Sequence, residues 1–112
     1  MSAVQNIAVP PHNLEAEKSV LGAVLLDERH LHSLLVEEQL RPEHFYREQH
    51  GWVFAAMLEL YESDRKIDHL TVSETMRQRG KLEEAGGAAA IDELAGWVPA
   101  AGHAREYAAT RA

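Results

Sequence analysis

The sequence predicts an all-α fold, a compact bundle of five to six short helices. Three observations carry this expectation. Apolar residues recur at three- and four-residue spacing along most of the chain. Capping residues, prolines and glycines cut that periodicity into segments of helical length. No stretch shows the apolar–polar alternation of a half-buried strand, and no segment repeats.

Residues 1–12 read as a flexible N-terminal arm, and residues 13–112 as the helical domain. Pro10-Pro11 closes the arm, because the residue before a proline is steered away from helix. Asn13 then fits an N-cap, and Glu15 and Glu17 follow where the helix dipole favours negative charge. Leu14, Leu21, Val24 and Leu25 share one face of this first helix, which runs to about Leu26. Asp27 can cap a second, short helix with Leu31, Leu34 and Leu35 as its stripe, and Leu40-Arg41-Pro42 breaks it. In the connector from Glu43 to Arg47, Phe45 and Tyr46 are expected to plug the edge of the core. A third helix spans about Glu48 to Ser63, with Val53, Phe54, Met57, Leu58 and Tyr61 on one broad face. After a second connector, Asp64 to Leu70, the run Thr71-Val72-Ser73-Glu74 matches a capping box. It opens a fourth helix that reaches Arg79, with Gly80 at its C-terminal end. Gly86-Gly87 is a turn in which positive φ is tolerated. A fifth helix takes Ala88 to Trp97, with Ile91, Leu94 and Ala95 inward, and Pro99 ends it. The last helix starts near Ala101, carries Tyr107 and reaches the C-terminus without a stop signal, as expected of a chain that continues in its parent protein. The core is expected to hold Leu21, Val24, Leu25, Phe54, Met57, Leu58, Ile91 and Leu94.

Composition removes several function classes. The chain has 112 residues, enough for one ordinary domain. Eleven Lys and Arg against eighteen Asp and Glu leave a formal net charge of −7, which disfavours autonomous nucleic-acid binding because phosphate contacts need clustered positive charge. With no cysteine there are no disulfides, thiolate zinc sites or thiol nucleophiles, as in a reducing, cytoplasmic setting. The longest apolar run, Val20 to Leu26, is far short of the roughly 20 residues of a membrane helix. Of the seven histidines none pairs at the i, i+3 or i+4 spacing of helical zinc ligands. Gly80-Lys81 lacks the preceding glycine and following Ser or Thr of a phosphate loop. The adjacent acids Glu37-Glu38 and Glu83-Glu84 diverge on a helix and read as solvated charge. Composition and periodicity therefore end at a helical interaction module without metal ligands, cofactor loop or catalytic constellation.

Local motifs go further. Pro10-Pro11-His12-Asn13-Leu14-Glu15-Ala16-Glu17 followed by Ser19-Val20-Leu21-Gly22-Ala23 resembles the opening of the N-terminal domain of bacterial replicative DNA helicases of the DnaB type. Leu40-Arg41-Pro42-Glu43-His44-Phe45-Tyr46 resembles the stretch before that domain's third helix. Ile67-Asp68, Thr71-Val72, Leu82-Glu83-Glu84 and Gly86-Gly87 resemble its middle. Val98-Pro99, Ala101 and Tyr107-Ala108 resemble its last helix and the turn before it. The motifs occur in the family's order and cover about residues 9–112.

The resemblance implies an assembly and docking domain rather than a catalyst. Family members are hexameric rings that unwind duplex DNA at the replication fork. Their ATP and magnesium sit in a C-terminal RecA-like domain, preceded by a linker helix, and neither part is expected in this chain. The N-terminal domain forms a collar and offers a surface to the C-terminal domain of primase. Alone it is expected as a monomer or weak dimer without direct nucleic-acid binding. The resemblance carries Glu15 over as a partner-binding residue, and marks Ala90, where relatives often have an aromatic, as part of the same surface. Trp52 lies one position off the main stripe of the third helix and is a third candidate, since Trp is enriched at interface hot spots. Trp97, beside Pro99, reads as a packed helix end. Two alternatives remain at this point, a free-standing helical adaptor and a His-dependent metal hydrolase.

Overall fold

The structure is a computed structural model, and it describes residues 13–97. The expected arm at 1–12, the expected last helix from Ala101, and Pro99 lie outside the described residues. Five α-helices follow in order: α1 (Leu14–Leu26), α2 (Arg29–Val36), α3 (Glu48–Glu62), α4 (His69–Gln78) and α5 (Gly87–Ala95), with one 3-10 turn at Pro42–His44. No strand occurs among the described residues.

Four helices close a cycle. α1 packs on α3 and α5, and α4 joins α3 to α5. α2 packs against α1, and the 3-10 turn packs on α3. The cycle surrounds one apolar core in which Leu21, Val24, Phe54, Met57, Val72, Met76 and Ile91 are at most 1% exposed. Gly22 lets α1 and α5 meet, because a Cβ there would fall 2.5 Å from the carbonyl oxygen of Leu94.

Most helix ends follow the local chemistry. Asn13 Oδ1 accepts the Ala16 N–H at 2.9 Å and caps α1 as expected. Asp27 Oδ1 accepts the Arg29 N–H at 3.1 Å, so it serves the start of α2 although the helix begins only at Arg29. The same carboxylate is gripped by the Arg29 guanidinium, which holds its pKa far below the usual carboxylate range. α2 stops at Val36, earlier than the Leu40-Arg41-Pro42 break. Gln39 takes a left-handed φ of 57°, and Leu40 turns back under the helix, its N–H 2.9 Å from the Leu34 carbonyl. Gly80 (φ 73°) and Gly86 (φ 104°) sit at positive φ, as the sequence indicates. Across each, an N–H reaches back five residues, Lys81 to Met76 and Gly87 to Leu82, which is a Schellman closure.

Several expectations need correction. α4 opens at His69, not Thr71. Its cap is Asp68, whose carboxylate accepts the Thr71 N–H at 2.9 Å while Thr71 Oγ1 accepts the Asp68 N–H. Thr71 is thus the third helical residue of that box, and Glu74 is spent on Arg77 and Gln78 instead. α5 ends at Ala95, two residues before Trp97. On α3 the buried stripe runs through His50, Val53, Phe54, Met57 and Leu60, with Ala56 beside it. Leu58 is only half-buried, and Tyr61 is 38% exposed. The Tyr61 hydroxyl needs a polar partner, and it finds His32 Nδ1 on α2 at 2.7 Å. In the connector only Phe45 plugs the core, its ring 5.2 Å from Phe54, while Tyr46 is 57% exposed.

Candidate docking surface

The three residues singled out for partner binding do not form one cluster. Glu15 lies in the first turn of α1, exposed, and its carboxylate makes no hydrogen bond or ion pair with the described residues. Ala90 lies on α5 and lines a groove of about 350 Å³ between α1, α3 and α5. Trp52 is half-buried on α3, and its ring carries the Lys81 ammonium 4.7 Å from the centroid. Trp52 and Glu15 are not among the groove-lining residues. Trp97 also lines the groove, with the Lys18 ammonium 5.0 Å from its ring centroid.

Behind the groove lies a polar joint that the sequence reading missed. Glu17 on α1 is fully buried. Its Oε2 accepts the Tyr46 N–H at 2.5 Å, and its Oε1 accepts the His50 Nδ1–H at 2.7 Å and, more loosely, the Arg47 N–H at 3.4 Å. Tyr46 and Arg47 are the residues that lead into α3, and no side chain of their own caps that helix. Glu17 therefore supplies, from another helix, the acceptor that the N-cap residue Arg47 does not, in addition to the acidic Glu48 of the helix's own first turn. His50 is itself buried, and burial pushes its pKa below 6.5. The hydrogen bond to Glu17 opposes that shift, while Arg47 and Lys18 reinforce it. The imidazole is thus neutral at pH 7, with its proton on Nδ1 facing the carboxylate.

A signal for this pair was present. Glu17 stands at the i position of the stripe Glu17, Val20, Leu21, Val24, and His50 heads the α3 stripe His50, Val53, Phe54, Met57. A carboxylate and an imidazole that each sit on an apolar stripe need a buried partner, and each other is the available one. Among the described residues, no group of three or more His, Asp or Glu converges closely enough to hold a metal ion. Among the described residues, no helix is long and apolar enough to cross a membrane.

The model of the family described as DnaB-like helicase N terminal domain matches residues 9–110. The chain belongs to this family. It is 40% identical over 108 residues to the replicative DNA helicase DnaB of Geobacillus stearothermophilus, covering 96% of this chain and 23% of that protein. It is 41% identical over 99 residues to the replicative DNA helicase DnaB of Treponema pallidum, covering 88% of this chain and 22% of that one. Among solved structures, the N-terminal domain of DnaB helicase from Mycobacterium tuberculosis superposes with a TM-score of 0.78 at 40% identity, covering 93% of this chain and 71% of that one. The chain thus spans less than a quarter of the length of these curated helicases. The all-α expectation and the DnaB resemblance hold, and the buried joint and the groove are features of a DnaB-like N-terminal domain.

Proposed function

We propose that this DnaB-like domain is the assembly and docking part of a ring-shaped replicative DNA helicase, and that its partner is the C-terminal domain of primase. The match over residues 9–110 carries this reading. The surface chemistry supports it. An exposed acid at the start of α1, and a groove lined by Val53, Ile91 and Leu94, offer a protein partner both charge and apolar area. The net charge of −7 suits a collar that surrounds DNA without gripping it. In this reading ATP and magnesium belong to a RecA-like domain outside these 112 residues, and so does unwinding. The isolated chain is then a monomer or weak dimer, and its parent a cytoplasmic hexamer.

Calorimetric titration with the C-terminal domain of the cognate primase tests the proposal. Saturable binding, weakened several-fold by Glu15→Ala, supports both the partner and the start of α1 as its contact. Binding indifferent to that substitution keeps the partner and moves the contact toward Ala90. Absence of binding, both with this chain and with the full-length helicase, overturns the docking role.

A further inference from the structure

His50 has two ring nitrogens, and the protein satisfies one of them. Its Nδ1–H donates to Glu17, a carboxylate that only accepts, so Nε2 carries the lone pair. Nε2 has no hydrogen-bond partner among the described residues. The side chain is only 8% exposed, and His50 lines the groove between α1, α3 and α5. A buried acceptor without a donor is costly and uncommon. At this point of the groove an incoming N–H or O–H gains more than it would against a purely apolar wall.

The charges beside that nitrogen narrow the choice of occupant. Lys18 on α1 and Arg47 before α3 both line the groove and lie close enough to His50 to act on its charge. Neither makes an ion pair with a described residue: Lys18 rests over the Trp97 ring, and Arg47 is exposed. On the α5 side the lining is acidic, with Glu93 on the helix and Glu84 before it, 3.9 Å from Lys81. An anion entering the groove is therefore drawn to the α1–α3 side. Val53, Ile91 and Leu94 add an apolar lining, and Ala90 contributes only a methyl group, which leaves room. A volume of about 350 Å³ suits one or two residues rather than a whole helix. An N–H, a carboxylate and an apolar side chain on a single carbon are together the last residue of a polypeptide. We infer that the groove captures the free C-terminus of a partner protein ending in an aliphatic residue. Its last N–H meets His50 Nε2, its carboxylate lies by Lys18 and Arg47, and its side chain packs on Val53, Ile91 and Leu94. An internal segment offers the same N–H without the charge. The inference rests on the docking reading of this groove and names the chemistry which that reading leaves open.

An NMR titration of the isotope-labelled 112-residue chain at pH 7.5, with an acetylated five-residue peptide ending in leucine, tests the inference. Saturable shifts are expected at the His50 ring nitrogens and the Leu94 amide, while the Val72 and Met76 amides of α4 stay still. The same peptide as a C-terminal amide should bind about tenfold more weakly, and so should the free acid methylated on its last peptide nitrogen. Arg47→Gln, at an exposed position, should weaken the free acid and leave the amide unchanged. Equal binding of acid and amide overturns the inference, because the groove then offers only apolar surface. Equal binding of the methylated peptide overturns it too, because His50 then receives no donor. Isocaproate has the side chain and the carboxylate without the chain, and binding as tight as the peptide's also overturns a chain end as the occupant. Absence of saturable shifts at millimolar peptide does the same. So do cross-relaxation signals between the Leu94 methyls and residues 98–112 in the free chain, which mean that the chain's own continuation fills the groove. No primase enters this titration, so its failure leaves primase docking to calorimetry, and a failed primase titration removes only that named partner.

Discussion

Among the described residues, two histidine–carboxylate pairs share the same 2.7 Å separation, and they do different things. Glu17–His50 joins α1 to α3, with side chains 0% and 8% exposed. His69–Asp92 joins α4 to α5, with side chains 44% and 62% exposed. Water competes for every bond of the second pair and screens its charge, so pairs of this kind contribute about 0–1 kcal/mol. The first pair has no water to fall back on. Each of its polar groups is satisfied by the protein or not at all, and losing one strands the others. Distance alone does not rank the two pairs, whereas burial and the number of dependent donors do.

Breaking the buried pair should have the largest effect. Glu17→Ala leaves the Tyr46 N–H and the His50 imidazole unsatisfied and should cost roughly 3–5 kcal/mol, measured by urea denaturation. Phe54→Ala serves as the apolar gauge for the same joint. It removes a fully buried ring packed at a tilt against Phe45 and should also cost roughly 3–5 kcal/mol, with a large fall in melting midpoint. A midpoint that barely moves means the α3 face is misassigned. The next effect is on pH dependence. The folded state lowers the His50 pKa, so the unfolded state binds more protons below pH 6.5. Stability is therefore full above about 6.5, falls as pH drops toward the folded value, and levels off below it. His50→Gln should remove that slope in denaturation series run at stepped pH. Asp68→Ala, which deletes the cap of α4, should cost about 1 kcal/mol in the same assay. Asp92→Ala should stay within about 0.5 kcal/mol of the unmodified chain, the smallest change of the set.

Elements that announce themselves through local chemistry were legible in the sequence. Asn13, Gly80 and Gly86 mark their helix ends in the structure because capping and positive φ depend on one residue and its near neighbours. The order of the helices and the DnaB family followed from the same kind of signal. Choices between two adequate local solutions were not legible. Asp68 and Thr71 can each cap a helix, and the earlier one won because Thr71 completes its box. Tyr61 matches the apolar period of α3 and Tyr46 stands beside the core-plugging Phe45, yet each keeps substantial exposure, since a phenol gains from leaving its hydroxyl in reach of polar partners. In the sequence Glu17 reads as a helix-dipole residue, because an acid in a first turn is ordinary. Its burial depends on residues 46–50, which no window around α1 contains. As for the docking residues, the structure places Glu15 at an exposed helix start and Ala90 in a groove, while Trp52 turns toward Lys81.

A pair of double-mutant cycles tests most directly the claim that burial separates the two joints. One cycle combines Glu17→Gln with His50→Gln, and the other Asp92→Asn with His69→Gln, all measured by denaturant unfolding at pH 7. The coupling between Glu17 and His50 should reach roughly 1.5 kcal/mol or more, as for a buried hydrogen bond to a charged group. The coupling between His69 and Asp92 should stay below about 0.5 kcal/mol. Equal couplings, or a larger one at the exposed pair, would contradict the claim that Glu17 and His50 hold α1 to α3.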